Sequence, residues 1–194
     1  MASVEFLIKQ FLTPDKKRLD LSNQNLSDKG VAALCKSKAL KRLQRLSLPN
    51  NNIGDEGAIA IANSETFKNL TDLDFYGNVI SDDGVKAVAS SPYMKNLRKL
   101  NLYGNLIEDE GAIAIAGSEV LSKLRYLYLT GNRIRREGIE TLKKAKTRTR
   151  LSHLHLDEIE EFDYDLTIDD DDDQISSWEE LEARAKMNRD NQDD

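Results

Sequence analysis

With one cysteine, two histidines and three prolines in 194 residues, this chain has little from which to build a disulfide framework, a metal cage or a nucleophilic triad. Cys35 has no second cysteine to pair with, and its place among apolar residues predicts a buried structural thiol. No window approaches the roughly 18 apolar residues of a membrane-spanning helix. The N-terminus, MASVEFLIKQFL, lacks the basic start and the long apolar run of a secretory signal, so a cytoplasmic-type protein is expected. Asn25-Leu26-Ser27 and Asn69-Leu70-Thr71 match the glycosylation sequon, and without export these matches are accidental. There is no recognisable nucleophile–base pair, phosphate-cradling glycine loop or paired-cysteine site. The expectation is therefore no enzymatic activity, no cofactor and no resident metal.

What the chain has is a period. Leu19, Leu46, Leu73, Leu100, Leu127 and Leu154 recur every 27 residues without insertion or deletion. Each is followed two residues later by Leu21, Leu48, Phe75, Leu102, Leu129 or Leu156. Next come Gln24, Asn51, Asn78, Asn105 and Asn132, then Leu26, Ile53, Ile80, Ile107 and Ile134, and four residues later a glycine at 30, 57, 84, 111 and 138. A fixed period of this length marks a solenoid, in which each unit buries its apolar face against its neighbours. The alternation xLxLx predicts a short strand with one buried face. The asparagine after it can bond backbone groups that the bend leaves unpaired, which predicts a buried ladder.

After the glycine the period becomes helical. Val31, Leu34 and Cys35, and their equivalents Ala58, Ile61 and Ala62, Val85, Val88 and Ala89, and Ala112, Ile115 and Ala116, form one apolar stripe. A further apolar residue recurs at Leu40, Phe67, Met94 and Leu121. In the fifth unit Ile139 and Leu142 remain, but Lys143 and Arg148 interrupt the pattern, so the core thins and needs a cap.

The repeat LxxLxLxxNxIxxxG resembles the ribonuclease-inhibitor-like class of leucine-rich repeats over residues 16–156. The resemblance implies a horseshoe arc with a parallel strand layer on the concave face and helices on the convex face, in six repeats of 27 residues. That period is slightly shorter than the 28–29 usual for the class. GAIAIANSE at 57–65 and GAIAIAGSE at 111–119 lie two repeats apart and resemble the two-repeat superperiod of the same class.

The flanks read differently. Phe6, Leu7, Phe11 and Leu12 predict a helical N-terminal cap within residues 1–15. Phe162, Tyr164, Leu166 and Ile168 alternate with polar residues and predict an edge strand, a C-terminal cap over 157–168. Residues 169–194 read as an acidic tail with a short helix beginning near Ser177, too short to stand alone unless Trp178 docks on the solenoid, and the part past Asp173 is expected to be loosely held. Asp169, Asp171, Asp173 and Glu180 have calcium-loop spacing, but Gln174 occupies the place where that loop needs glycine. Residues 157–194 hold 17 acidic and three basic side chains, a net of −14, whereas residues 1–156 carry +8. Acids and bases interleave along the repeats, so mixed solvated faces are expected rather than a nucleic-acid footprint.

In a solenoid the variable, solvent-facing positions carry function. The residues flanking the buried leucines place Tyr76, Tyr103, Tyr126, Tyr128, His153 and His155 on the concave face, with Asp72, Asp74, Lys99, Asn101 and Arg125 as polar neighbours. Tyrosines beside cations have the composition of a protein-interface hot spot. His153, His155 and Asp157 alternate at a spacing that could hold a metal, but so small a ligand set reads better as partner contact. The expected function is that of a monomeric, non-enzymatic module gripping a folded protein, without nucleic acid or membrane span. The resemblance to ribonuclease inhibitor implies inhibition by covering an enzyme's active site. A GTPase-activating role is the alternative, since some activators pair this repeat class with an acidic tail. An acidic chaperone of basic proteins is a third, although such repeats are shorter than 27 residues. Glu179, Glu180 and Glu182 also resemble the glutamate-rich translocation signals of bacterial type IV secretion effectors, which implies delivery into a host cytosol.

Overall fold

The computed structural model describes residues 3–146 and 150–157. Strands β1 (Arg18–Asp20), β2 (Arg45–Ser47), β3 (Asp72–Asp74), β4 (Lys99–Asn101), β5 (Tyr126–Tyr128) and β6 (His153–His155) form one parallel sheet in chain order. Helix α1 (Val4–Phe11) precedes the sheet, and α2 (Ser27–Cys35), α3 (Asp55–Ala62), α4 (Asp82–Ser90), α5 (Asp109–Ala116) and α6 (Arg136–Lys146) connect its strands. Every strand residue faces its equivalent one repeat away, Leu19 opposite Leu46 and so on to Leu127 opposite Leu154. The architecture is an α/β solenoid arc, with the sheet concave and the helices convex.

The core lies between the two layers and follows the repeat. Leu46, Leu48, Ile53, Ile61 and Phe67 are all buried, as are their counterparts Leu73, Phe75, Ile80, Val88 and Met94. Cys35 is half-buried, whereas its equivalents Ala62 and Ala89 are buried, because α2 belongs to the first repeat and has a full repeat packed on one side only. Burial nevertheless pushes its thiol pKa up, which lowers the reactive thiolate fraction.

Polar bonds between repeats set the register. Asn78 Oδ1 accepts from the N–H groups of Asn51 (3.1 Å) and Ile53 (3.0 Å), and its Nδ2 donates to the carbonyls of Leu48 (3.0 Å) and Phe75 (2.9 Å). Asn51 and Asn105 bridge their neighbours in the same way, so the predicted ladder is present and buried at Asn51, Asn78 and Asn105, while Gln24 and Asn132 at its ends are half-buried. The turn just before it adopts left-handed backbone in every repeat, supplied by Asn23, Asn50, Gly77, Gly104 and Gly131.

A second ladder was not anticipated. Asp55 Oδ1 accepts from the N–H groups of Ser81 (2.8 Å) and Gly84 (2.9 Å), and Oδ2 accepts from the Ser81 hydroxyl (2.6 Å). Asp28 and Asp109 cap the next helix identically, and Asp82 reaches the N–H of Glu108. Each aspartate thus serves the unsatisfied N–H groups at the start of the following helix, where negative charge is favoured. The glycine is required by the same contact: a Cβ at Gly111 would lie 2.5 Å from Asp82 Oδ1. Arg136 occupies the next place in the column, and the ladder stops.

At the N-terminal end, α1 is capped by the Ser3 hydroxyl and buries Leu7 and Ile8 on the core. Its other predicted apolar residues turn outward, with Phe6 57% and Phe11 37% exposed. The helix meets the sheet where Leu12 pairs antiparallel with Leu19. At the other end Leu154 and Leu156 are only half-buried, and a void of about 30 Å³ lies among Leu121, Leu127, Leu142 and Leu151. Lys143 is exposed, as the thinning stripe implied. Arg148, the expected cap over residues 158–168 and the tail beyond lie outside the described residues.

Two substitutions test the ladders. Asn105→Ala strands buried backbone groups in two repeats and should cost about 1–3 kcal/mol in urea unfolding. Asp55→Ala removes a helix cap and should cost about 1–2 kcal/mol. Losses below about 0.5 kcal/mol would show that water replaces these bonds freely.

Candidate protein-binding face

Because side chains alternate along a strand, the residues on either side of each buried leucine point to solvent on the concave face. One column runs Arg18, Arg45, Asp72, Lys99, Tyr126 and His153, in register from β1 to β6. The next runs Asp20, Ser47, Asp74, Asn101, Tyr128 and His155. Tyr76 and Tyr103 stand just past the strands and are each 40% exposed. Ten of the eleven residues singled out from the sequence therefore lie on this one face, and the eleventh, Arg125, stands just before β5 at its edge.

Neighbouring strands are about 4.8 Å apart, close to the separation of stacked rings. Tyr76 stacks on Tyr103 with centroids 5.0 Å apart. Tyr126 stacks on His153 at 4.6 Å, and Tyr128 on His155 at 4.6 Å with only 8° between planes. Lys99 Nζ lies 5.2 Å from the Tyr128 centroid, within cation–π range. The face thus carries three prestacked aromatic pairs, which leave each ring little rotamer freedom to lose on binding.

Several polar residues have local work. Asp74 Oδ1 accepts from the Tyr76 N–H (3.0 Å), and Asn101 Oδ1 from the Tyr103 N–H (3.2 Å). These two side chains hold the turns that aim the tyrosines, with capacity left for a ligand. Asp72 accepts from the Thr71 hydroxyl (2.6 Å) and faces Arg45 Nε at 3.7 Å, an exposed pair worth little to stability. Asp157 accepts from the Gly131 N–H through both oxygens. With His153 and His155 stacked on tyrosines and Asp157 turned to the backbone, the three do not converge. No group of three or more metal-type ligands occurs among the described residues.

A groove of about 620 Å³ runs along the start of β2–β5, between Arg45, Asp72, Arg98, Lys99, Arg125 and Tyr126. Strand-centred reading missed its Gln44 and Thr71 walls. The signal was the column immediately before each strand: Lys17, Gln44, Thr71, Arg98, Arg125 and Ser152.

The family model for the leucine-rich repeat matches residues 17–35, 41–62, 68–89, 93–116 and 120–143. Among solved structures, the chain is similar to an internalin, inlF, from Listeria monocytogenes, with 24% identity and a TM-score of 0.46 over 73% of this chain and 35% of that one. It is also similar to actin-binding site 2 of leiomodin-1, with 16% identity and a TM-score of 0.51 over 75% of this chain and 86% of that one. The chain spans about a third of the internalin's length. At these identities the structural likeness is one of fold alone. No curated protein matches the sequence.

The rings project away from the core, so truncating them should leave the array folded. Tyr128→Ala forfeits a stacked pair worth about 0.5–1.5 kcal/mol and should lower unfolding stability by no more than that, measured in urea. A larger loss would make Tyr128 a structural residue.

Proposed function

Since the chain belongs to the leucine-rich repeat family, we propose that it is a non-enzymatic module whose concave face grips a folded protein partner. Leucine-rich repeat domains serve generally in protein–protein interaction, and the face here has the chemistry for that role. The observation that carries the reading is the set of three prestacked aromatic pairs on solvent-facing strand positions. Tyrosine gives large contact area with few torsions to freeze and a hydroxyl for the wet rim, which is why it dominates interface hot spots.

Six strands about 4.8 Å apart give a ladder roughly 24 Å across. With the flanking loops, that supplies the ~800 Å² per partner of a standard interface. Tyr76, Tyr103, Tyr126, Tyr128, His153 and His155 act as anchors. Asp72, Asp74, Lys99, Asn101 and Arg125 supply polar contacts. A curved face of this width fits over the mouth of an enzyme's active site, so inhibition is the mode we favour, exercised by a monomer in a reducing cytoplasm that keeps Cys35 free. Actin binding belongs to the leiomodin-1 segment; at 16% identity that neighbour lends a fold and not a partner.

The test is capture from native cell extract by the full chain, its Tyr76→Ala/Tyr103→Ala variant and a convex-face control, Ile113→Ser. A partner retained by wild type and control should bind the double variant at least tenfold more weakly, about 1.4 kcal/mol. Affinity within threefold would move the interface to the helices. Acceleration of GTP hydrolysis by a captured GTPase would favour the activating alternative over inhibition.

A further inference from the structure

Some of the acids and bases that interleave in sequence take different sides of the repeat. In each repeat the aspartates at 28, 55, 82 and 109 lie at the helix starts, beyond the far ends of the strands, and are spent on capping. Lys17, Arg42, Arg98, Lys123 and Arg125 lie on the opposite rim, where the strands begin. A groove of about 270 Å³ there is lined by Lys17, Arg42, Arg98 and Lys123, with amides and a hydroxyl and no carboxylate among its lining residues. It shares Gln44, Thr71 and Arg98 with the larger groove, which adds Lys99 and Arg125. The one carboxylate in that second groove, Asp72, already faces Arg45 and Thr71.

The rim is held in place by side chains. Asn69 donates to the Lys41 carbonyl (2.9 Å) and Asn96 to the Lys68 carbonyl (3.0 Å), tying successive loops together. Lys123 Nζ donates to Asn96 Oδ1 (2.9 Å), which fixes the ammonium at the groove wall. Like charges lining one groove repel one another, and an anion between them relieves that repulsion.

We infer that this strand-start rim is a docking groove for an extended acidic segment of the partner protein. The inference rests on the reading of the concave face as protein-binding, and it names the chemistry of what binds along that face's edge. From the start of β1 to the start of β5 the rim covers four strand spacings, about 19 Å, which an extended chain spans in about six residues. Carboxylates on such a segment meet guanidinium and ammonium groups from the segments before β1, β2, β4 and β5, with Gln44 and the two asparagines as neutral donors between them. Nucleic acid fits less well. No aromatic side chain lines the smaller groove for bases to stack on, and Tyr126 and Tyr128 beside it are already stacked on histidines.

The probe is a fluorescein-labelled peptide of about eight alternating aspartates and glutamates, long enough to span the rim, titrated with the full chain by fluorescence anisotropy. Wild type should bind it, and binding should weaken as salt rises. Arg98→Gln/Lys123→Gln should weaken it at least tenfold with the urea midpoint unchanged, and Lys17→Gln/Arg42→Gln should do so from the other end. The inference is overturned if wild type does not bind, or if both charge variants bind within twofold of it. An oligothymidylate of equal length binding more tightly than the peptide would also overturn it. The Tyr76→Ala/Tyr103→Ala variant should keep the peptide while losing the folded partner. If it keeps both while the charge variants lose the peptide, the concave reading fails and the groove stands.

Discussion

One constraint organises this molecule: backbone groups left open where each repeat bends are bonded by a side chain from the next. A buried amide with two donors and two lone pairs can satisfy four backbone partners, and Asn78 does so between two repeats. The partners lie at set offsets, so a single inserted residue would misalign every bond on one side of it. That is why the period holds at 27 from end to end. The aspartate column adds a second seam at the helix starts, and serines 27 residues apart, Ser64, Ser91 and Ser118 donating to the carbonyls of Cys35, Ala62 and Ala89, form a third at the helix ends. Apolar burial supplies the driving force; these seams determine which leucine sits beside which.

The same spacing that aligns the leucines on the inner side of the sheet aligns whatever stands on the outer side. Two aromatic residues 27 apart have no choice but to stack, since strands about 4.8 Å apart bring their rings to stacking distance. Tyr76 with Tyr103, and the two tyrosine–histidine pairs, are consequences of the repeat rather than of a local motif. A solenoid therefore turns simple column composition into a preorganised surface. Binding chemistry then varies without disturbing the core, because the buried and exposed columns are separate positions.

Separation of charge follows from helix polarity. Carboxylates cluster where the helices begin and are stabilised by the unpaired N–H groups there. The opposite rim, next to the strand starts, collects lysine and arginine. A repeat protein of this kind is thus polarised across its width even when its sequence looks evenly mixed. The two ends are where repetition fails: Leu7 and Ile8 of α1 close one, while at the other Arg136 ends the aspartate column and Leu154 and Leu156 stay half-buried.

The repeat alone determined the solenoid, the strand and helix positions, the buried asparagines and the membership of each concave column. It could do so because a residue's neighbour in space is the residue 27 places away, so distance along the chain and distance across the sheet carry the same information. Each stacked pair was legible on that basis too. What needed the tertiary structure was everything across the repeat rather than along it. The role of Asp28, Asp55, Asp82 and Asp109 depends on which way the next helix points its N–H groups. The outward turn of Phe6 and Phe11 depends on how α1 lies against the first repeat, and the half-burial of Cys35 on its place in the terminal repeat. The basic groove emerges only when the segments just before successive strands are set side by side. Periodicity specifies which residues stack; only packing specifies which residues face each other across the stack.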